Sequence, residues 1–247
     1  MRTLRGLWCL GAALAHVLRG VMTCAFVFPW LTPVQRMQRV GTWSRRLLRV
    51  LRVDLIVSGA PRPGPLLLVA NHVSWLDILV INAVHPVRFV SKADVRAWPV
   101  IGWLVACGGT LFIERERKRD AMRVVHQMAE ALQAGQQLAI FPEGTTTDGT
   151  SLMPFHANLL QAAIATETPA QPVALRFADS QHAVSPAAAY VGDTNLVQSA
   201  WAIVTTTGLR AEISFGPAQG TRHLDRRALA RLLSERIGHA LGIEAER

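Results

Sequence analysis

The stretch Leu66-Leu67-Leu68-Val69-Ala70-Asn71-His72-Val73-Ser74-Trp75-Leu76-Asp77 runs from an unbroken apolar segment straight into a polar turn holding a histidine and a carboxylate. A short apolar run of this kind reads as a strand buried on both faces. A polar group at the end of such a strand sits at the rim of a sheet, where α/β proteins place ligands. Further along, Leu138-Ala139-Ile140 leads in the same way into Phe141-Pro142-Glu143-Gly144-Thr145. One rim thus receives an imidazole, two carboxylates and a hydroxyl-rich turn. That set suits activation of a hydroxyl nucleophile beside a bound polar substrate.

The same pattern extends outward. Strands are predicted at 55–58, 66–70, 88–91, 110–113, 138–141, 172–177 and 211–215. Between them, Met122, Val125, Met128, Ala129 and Leu132 share one face of a helix over 120–134 that Gly135 ends. A second amphipathic helix over 225–241 turns Leu229, Leu232, Leu233, Ile237 and Leu241 inward, and 201–207 fits a helix end or a strand. Alternating strands and helices imply an α/β fold with a mixed, largely parallel central sheet flanked by helices. That domain is assigned to residues 54–247, behind an N-terminal helical module over 1–53. The 247 residues are enough for one domain with a sizeable core.

Nine arginines and no acidic residue precede Asp54, whereas the remainder balances its charges, so the net +9 belongs to the N-terminal module. Residues 6–34 are strongly apolar but contain His16, Arg19, Pro29 and Pro33. A spanning helix needs about 20 apolar residues in succession, and a secretory signal needs a small-residue cleavage site; neither pattern is met cleanly. The next segment places Val34, Met37, Val40, Leu47, Leu48 and Leu51 near helical spacing, with arginines opposite and Pro33 in the first turn. Such a helix lies in a membrane interface or packs on the body with its arginines solvated. The adjoining apolar stretch favours the membrane, each base adding about 1 kcal/mol of attraction to an anionic leaflet. Cys9, Cys24 and Cys107 are odd in number and far apart in sequence, which speaks against a disulfide framework or a zinc site and for a reducing compartment.

An imidazole titrates near about 6.5 and is mostly a free base at neutral pH. Asp77 comes within reach of His72 if the strand turns into a helix at once, and then holds its tautomer. No Gly-x-Ser-x-Gly elbow occurs, and Ser74 lies inside the turn. The pattern points to direct attack by a substrate hydroxyl deprotonated by His72. Gly144 permits close backbone approach to a ligand, and Thr147 and Thr150 read as ordinary turn caps.

In this order and separation, the Asn71-His72 box with Asp77 and the Phe141-Pro142-Glu143-Gly144-Thr145 box resemble the glycerolipid acyltransferases. Gly109-Thr-Leu-Phe-Ile-Glu114-Arg115, Gln171-Pro-Val-Ala-Leu175, Phe89-Val-Ser-Lys92 and Ile101-Gly-Trp103 are similar to further blocks of that family. The resemblance covers roughly residues 55–215. It implies His72 as general base, Asp77 as its orienting partner, and Arg115, Glu143, Gly144, Thr145 and Thr146 as groups on the acceptor, with Lys92 on a phosphate or the thioester carbonyl. It also implies a lysolipid acceptor, an acyl-CoA or acyl carrier protein donor, no cofactor and no metal. The expected seat is the cytoplasmic face of the cell membrane, peripheral or held by one N-terminal anchor. The first expectation for the acceptor is 1-acylglycerol 3-phosphate. Thr146 stands where the family usually has arginine and His156 where many members have lysine, and a threonine does not replace bidentate hydrogen bonds to phosphate. Together with Tyr190-Val-Gly-Asp193, this opens lyso-ornithine lipid or lysophosphatidylcholine as the alternative acceptor.

A thioesterase or esterase is disfavoured by the missing nucleophile elbow. Nucleic-acid binding is disfavoured because the basic residues sit in an apolar, proline-broken segment without stacking aromatics on a folded surface. Trp75, Trp98 and Trp103 are candidates to line an acyl tunnel.

Overall fold

The structure, a computed structural model, describes residues 2–113 and 118–243. Seven strands form one sheet: β1 Asp54–Ser58, β2 Leu66–Ala70, β3 Arg88–Lys92, β4 Leu111–Ile113, β5 Gln137–Ile140, β6 Ala170–Ala178 and β7 Arg210–Phe215. Their order is β1-β7-β6-β2-β5-β3-β4. Five neighbours from β6 to β4 run parallel, while β7 is antiparallel to β6 and carries β1 parallel beside it. The expected mixed, largely parallel sheet is therefore the one observed.

Among the described residues the helices are eight: α1 Arg2–Phe26, α2 Pro33–Val50, α3 Leu76–Val84, α4 Ile101–Cys107, α5 Lys118–Gln133, α6 Gln161–Ala165, α7 Leu196–Thr205 and α8 Arg226–Leu241. Strand β2 shows how they are laid out. All five of its side chains are fully buried. Leu66, Leu68 and Ala70 point into a core shared with α2, α3 and α7, and Leu67 and Val69 into one shared with α5, α6 and α8. Period-two alternation inside an all-apolar run is what a strand covered on both faces requires. The segment left open at 201–207 belongs to α7, whose Asn195 caps it reciprocally with Gln198.

The N-terminal module is helical, with two differences from the expectation. The first helix runs unbroken to Phe26, and its apolar stretch from Thr3 to Phe26 is long enough to cross a membrane by length and composition. Both prolines fall beyond it: Pro29 in the 3-10 turn Phe28–Trp30, Pro33 at the first position of α2 behind the Thr32–Gln35 capping box. Second, Cys9, Leu47, Leu48 and Leu51 lie in the same core as the sheet, so residue 53 marks no break in packing. Two of the module's arginines serve the fold: Arg45 donates twice to the Ala83 carbonyl closing α3, and Arg36 to the Phe28 and Leu31 carbonyls. Arg39, Arg46, Arg49 and Arg52 remain exposed.

Candidate active site

Strands β2 and β5 are neighbours in parallel register, Val69 opposite Ile140, so the chain leaves both at the same rim. Asn71 continues the ladder with its side chain. Its amide donates to the Leu175 carbonyl at 2.9 Å and its oxygen accepts the Leu175 N–H at 2.7 Å, splicing the end of β2 onto β6. The chain then turns into α3 without delay, which brings Asp77 back under His72.

Asp77 is completely buried, and one of its oxygens, Oδ2, accepts three hydrogen bonds: from His72 Nδ1 at 2.7 Å, Val73 N–H at 2.7 Å and Ser74 N–H at 2.9 Å. An oxygen already taking two backbone donors can only accept from the ring as well, so Nδ1 carries the imidazole proton. Nε2 is left as the basic nitrogen, and it makes no hydrogen bond among the described residues. The imidazole is about one-fifth exposed. Its face stacks on Phe141 with centroids 4.0 Å apart and planes 13° off parallel, and Phe141 in turn stacks on Phe89 of β3 at 5.8 Å. Residues from three neighbouring strands and the turns after them thus set the ring's position, orientation and tautomer. Ser74 is fully buried and its hydroxyl has no partner, so it stands in no relay with His72.

The second box is a tight turn. Gly144 N–H donates to the Phe141 carbonyl at 3.1 Å, with Pro142 and Glu143 between. Glu143 is not among the positive-φ residues, so this is a type I turn with proline and glycine at their preferred places. Gly144 has φ 78°, a conformation that costs glycine little and other residues more. The turn clamps His72 by its backbone. Glu143 Oε1 accepts the His72 N–H at 2.7 Å, Oε2 accepts the Met153 N–H at 2.9 Å, and Thr147 N–H donates to the His72 carbonyl at 2.8 Å. Burial pushes the Glu143 carboxyl up to about 7 against the pull of the Met153 and His72 backbone donors and the imidazole. Each of its oxygens accepts a backbone N–H and the residue is buried, so the Glu143 side chain holds the His72 backbone in place.

The remaining sequence candidates divide. Thr145 is exposed at the rim, beside the turn. The Thr146 hydroxyl donates to the carbonyl of Tyr190, whose own N–H donates to the Val73 carbonyl at 3.1 Å. The loop after β6 is thereby fastened to both boxes. That loop is knit by Asp179, whose carboxyl is held well below the usual range by the Ser185 hydroxyl at 2.5 Å and by the Gln181 and His182 amides. Lys92 ends β3, two strands along the rim from His72, with its side chain exposed. Arg115, like Glu114, lies outside the described residues. Thr147 and Thr150 are turn caps, as their spacing suggested, Thr150 bonding Asp148. Trp75 is half-buried and its indole donates to Ser199 at 3.0 Å, whereas Trp98 and Trp103 lie on the surface. Sequence reasoning did not find the stacking role of Phe141 or the strap formed by Tyr190. The first was signalled by an aromatic residue directly after β5; the second has no local signal.

Comparison with known proteins agrees with this geometry. Residues 55–176 match the Acyltransferase family model. A lyso-ornithine lipid O-acyltransferase of Pseudomonas aeruginosa is 40% identical over 218 residues, covering 85% of this chain and 81% of that protein. A 1-acyl-sn-glycerol-3-phosphate acyltransferase of Neisseria meningitidis is 35% identical, covering 87% and 85%. The crystal structure of the 1-acyl-sn-glycerophosphate acyltransferase PlsC from Thermotoga maritima shares the fold, with a TM-score of 0.74 at 19% identity over 98% of this chain and 97% of that one. With the histidine–aspartate pair, the clamping turn and the sheet all accounted for, the chain belongs to the glycerolipid acyltransferase family and is an acyltransferase.

Proposed function

We propose that the protein moves a fatty acyl group from an acyl thioester to the free hydroxyl of a lysolipid, with lyso-ornithine lipid as the acceptor it uses best. His72 Nε2 takes the proton of the acceptor hydroxyl as the oxygen attacks the thioester carbonyl. The tetrahedral intermediate then collapses with loss of the C–S bond, and the imidazolium returns its proton to the departing thiolate. The observation that carries this reading is the His72–Asp77 pair with its outward nitrogen unoccupied and no serine in relay. Such a pair serves a substrate nucleophile, without an acyl-enzyme. The acceptor assignment is supported by Thr146. Its hydroxyl is spent on Tyr190, so the box offers no cation to a phosphomonoester at the place where the family carries arginine. Relatives named lyso-ornithine lipid O-acyltransferase from three organisms are 34–40% identical to the chain. Lysophosphatidate, the first expectation from the boxes alone, is the second reading; the Neisseria relative and the presence of Arg115 favour it.

The membrane supplies the lysolipid and holds the enzyme. The helix α1 buries one face, through Gly6, Cys9, His16 and Gly20. It is tied to the body at three levels. A Cβ at Gly6 would meet Trp201 and Thr205 of α7 at 3.1 Å. His16 Nε2 bonds the Trp43 carbonyl while the Trp43 indole donates to the His16 carbonyl. Cys24 reaches Cys107 of α4. These ties span residues 6 to 24, about 27 Å of helix. A helix crossing a bilayer leaves the body after one end, so α1 lies along the leaflet, with Leu4, Leu7, Trp8, Leu14, Leu18 and Phe26 facing outward.

The test is an acceptor panel with one labelled acyl-CoA. Thiol release is expected to depend on lysolipid, to fall at least about 10³-fold in His72→Ala, and to be faster with lyso-ornithine lipid than with lysophosphatidate. Full turnover in His72→Ala would remove the reaction assignment; a preference for lysophosphatidate would move the acceptor to the second reading.

A further inference from the structure

The segment joining β3 to β4 is apolar without being buried. Helix α4 reads Ile-Gly-Trp-Leu-Val-Ala-Cys, and Gly102 is its only buried residue. Trp98, Val100 and Trp103 are 36%, 47% and 43% exposed. A helix that is apolar on every side is normally enclosed by protein; this one stands largely outside the core. Val100 deepens the anomaly. Its φ is 63°, a left-handed conformation that β-branched residues avoid, and the side chain so presented meets no core.

What covers this surface follows from its neighbours. α4 packs against α1, and Cys24 and Cys107 come near one another at that contact, although distant in sequence. Beside that junction, α1 and the turn after it expose Met22, Phe26 and Trp30, so the apolar surface of α1 continues onto α4. Two exposed bases flank the segment, Lys92 and Arg96, the latter lying 5.8 Å over the Phe112 ring. Tryptophans with amphipathic rings beside lysine and arginine are the composition of a bilayer interface, where indoles sit at the headgroups and cations meet anionic lipid.

We propose that residues 98–107 form a second membrane-contact element, entering the same leaflet as α1. This rests on the membrane placement given above, and is independent of which lysolipid is acylated. Its occupant is a phospholipid leaflet. The segment begins beyond the 3-10 turn Ala93–Ala97 that follows Lys92, on the side of the sheet edge where β3 ends.

The experiment uses the full chain with its three cysteines replaced by alanine, Val100→Cys labelled with the environment-sensitive dye NBD, and Arg231→Cys on the exposed face of α8 as the control. Vesicles of phosphatidylethanolamine and phosphatidylglycerol are expected to raise and blue-shift the emission at 100, with quenching by doxyl-labelled lipids, and to leave 231 unchanged. A label at 100 that behaves like the control while the protein co-sediments with vesicles overturns the proposal, as does failure to co-sediment. An emission change that needs no vesicles and follows protein concentration overturns it in favour of a second copy. In a Trp98→Ser/Trp103→Ser double variant, kcat/KM for vesicle-borne lysolipid is expected to fall about tenfold or more, with the rate in detergent micelles unchanged. Equal loss in both assays overturns the proposal. Wild-type turnover in micelles reports on the acyltransfer reaction separately, so its failure is distinguishable from failure of this contact.

Discussion

His72 retains one nitrogen for chemistry because Asp77 occupies the other. The aspartate's three accepted hydrogen bonds fix ring, tautomer and the first turn of α3 together. Asp77→Asn keeps the shape but presents an amide that no longer demands a proton on Nδ1. We expect kcat to fall about 10³- to 10⁴-fold with little change in unfolding temperature, checked by steady-state kinetics beside calorimetry. Glu143 gives a pH signature. A glutamate titrates near 4.5 when unfolded, and here at about 7. Folding therefore takes up a proton between those values. The group's stabilising contribution is complete below about pH 4.5 and is lost as pH rises through about 7, a change on the order of 3 kcal/mol. Glu143→Gln removes this slope. It also leaves one acceptor for two backbone donors, at a cost of about 1–3 kcal/mol. Urea unfolding between pH 5 and 8 is expected to give a flatter profile and a lower value at pH 5 than wild type.

At the scale of elements, the site is an agreement between loops that follow different strands. The His72 turn, the Glu143 turn and the loop carrying Tyr190 exchange backbone hydrogen bonds, so none holds its shape alone. Thr146→Val unfastens one of these links and leaves the Tyr190 carbonyl without its donor. We expect a loss of about 1 kcal/mol in stability and a higher KM for the lysolipid, with KM for the thioester unchanged. An unchanged acceptor KM would show that the loop takes no part in acceptor binding. Helix α1 buries one face in the fold, and its exposed leucines are the residues proposed above to meet the membrane. Replacing Leu7, Leu14 and Leu18 together with serine is expected to weaken vesicle binding by on the order of 100-fold or more, with turnover in detergent preserved, as read by co-sedimentation and kinetics.

For the whole molecule, the N-terminal helices are part of the core as well as the proposed membrane surface. Cys9 is buried in the cluster that holds Leu47, Leu66 and Leu76, with Leu10 and Ala13 packed against it, and α1 covers α7 beside Trp201. Deleting residues 2–26 is therefore expected to lower the unfolding temperature and to expose apolar surface that binds ANS in detergent-free buffer, beyond any loss of membrane binding. A truncated chain with wild-type stability would make α1 a mere anchor. The sheet order explains why the site lies where it does. With β2, β5 and β3 adjacent and parallel, three carboxyl ends open on one rim, and histidine, carboxylate and lysine arrive there from different parts of the chain.

The sequence by itself determined the strands to within a residue or two over most of the sheet, because runs such as Leu66–Ala70 and Gln137–Ile140 are apolar on both faces and bounded by turns. It determined the His72–Asp77 pair as well, since a strand entering a helix at once leaves five residues little freedom. Segment 201–207 stayed open because an apolar stretch of that length carries no decisive period. Only the tertiary structure decided that Glu143 holds a backbone, that Phe141 lies under the imidazole, that Thr146 is bonded to Tyr190, and that α1 runs along the body. Each of these depends on partners 40 to 200 residues apart in the chain, where loop closure and packing set the distance and no local pattern records it.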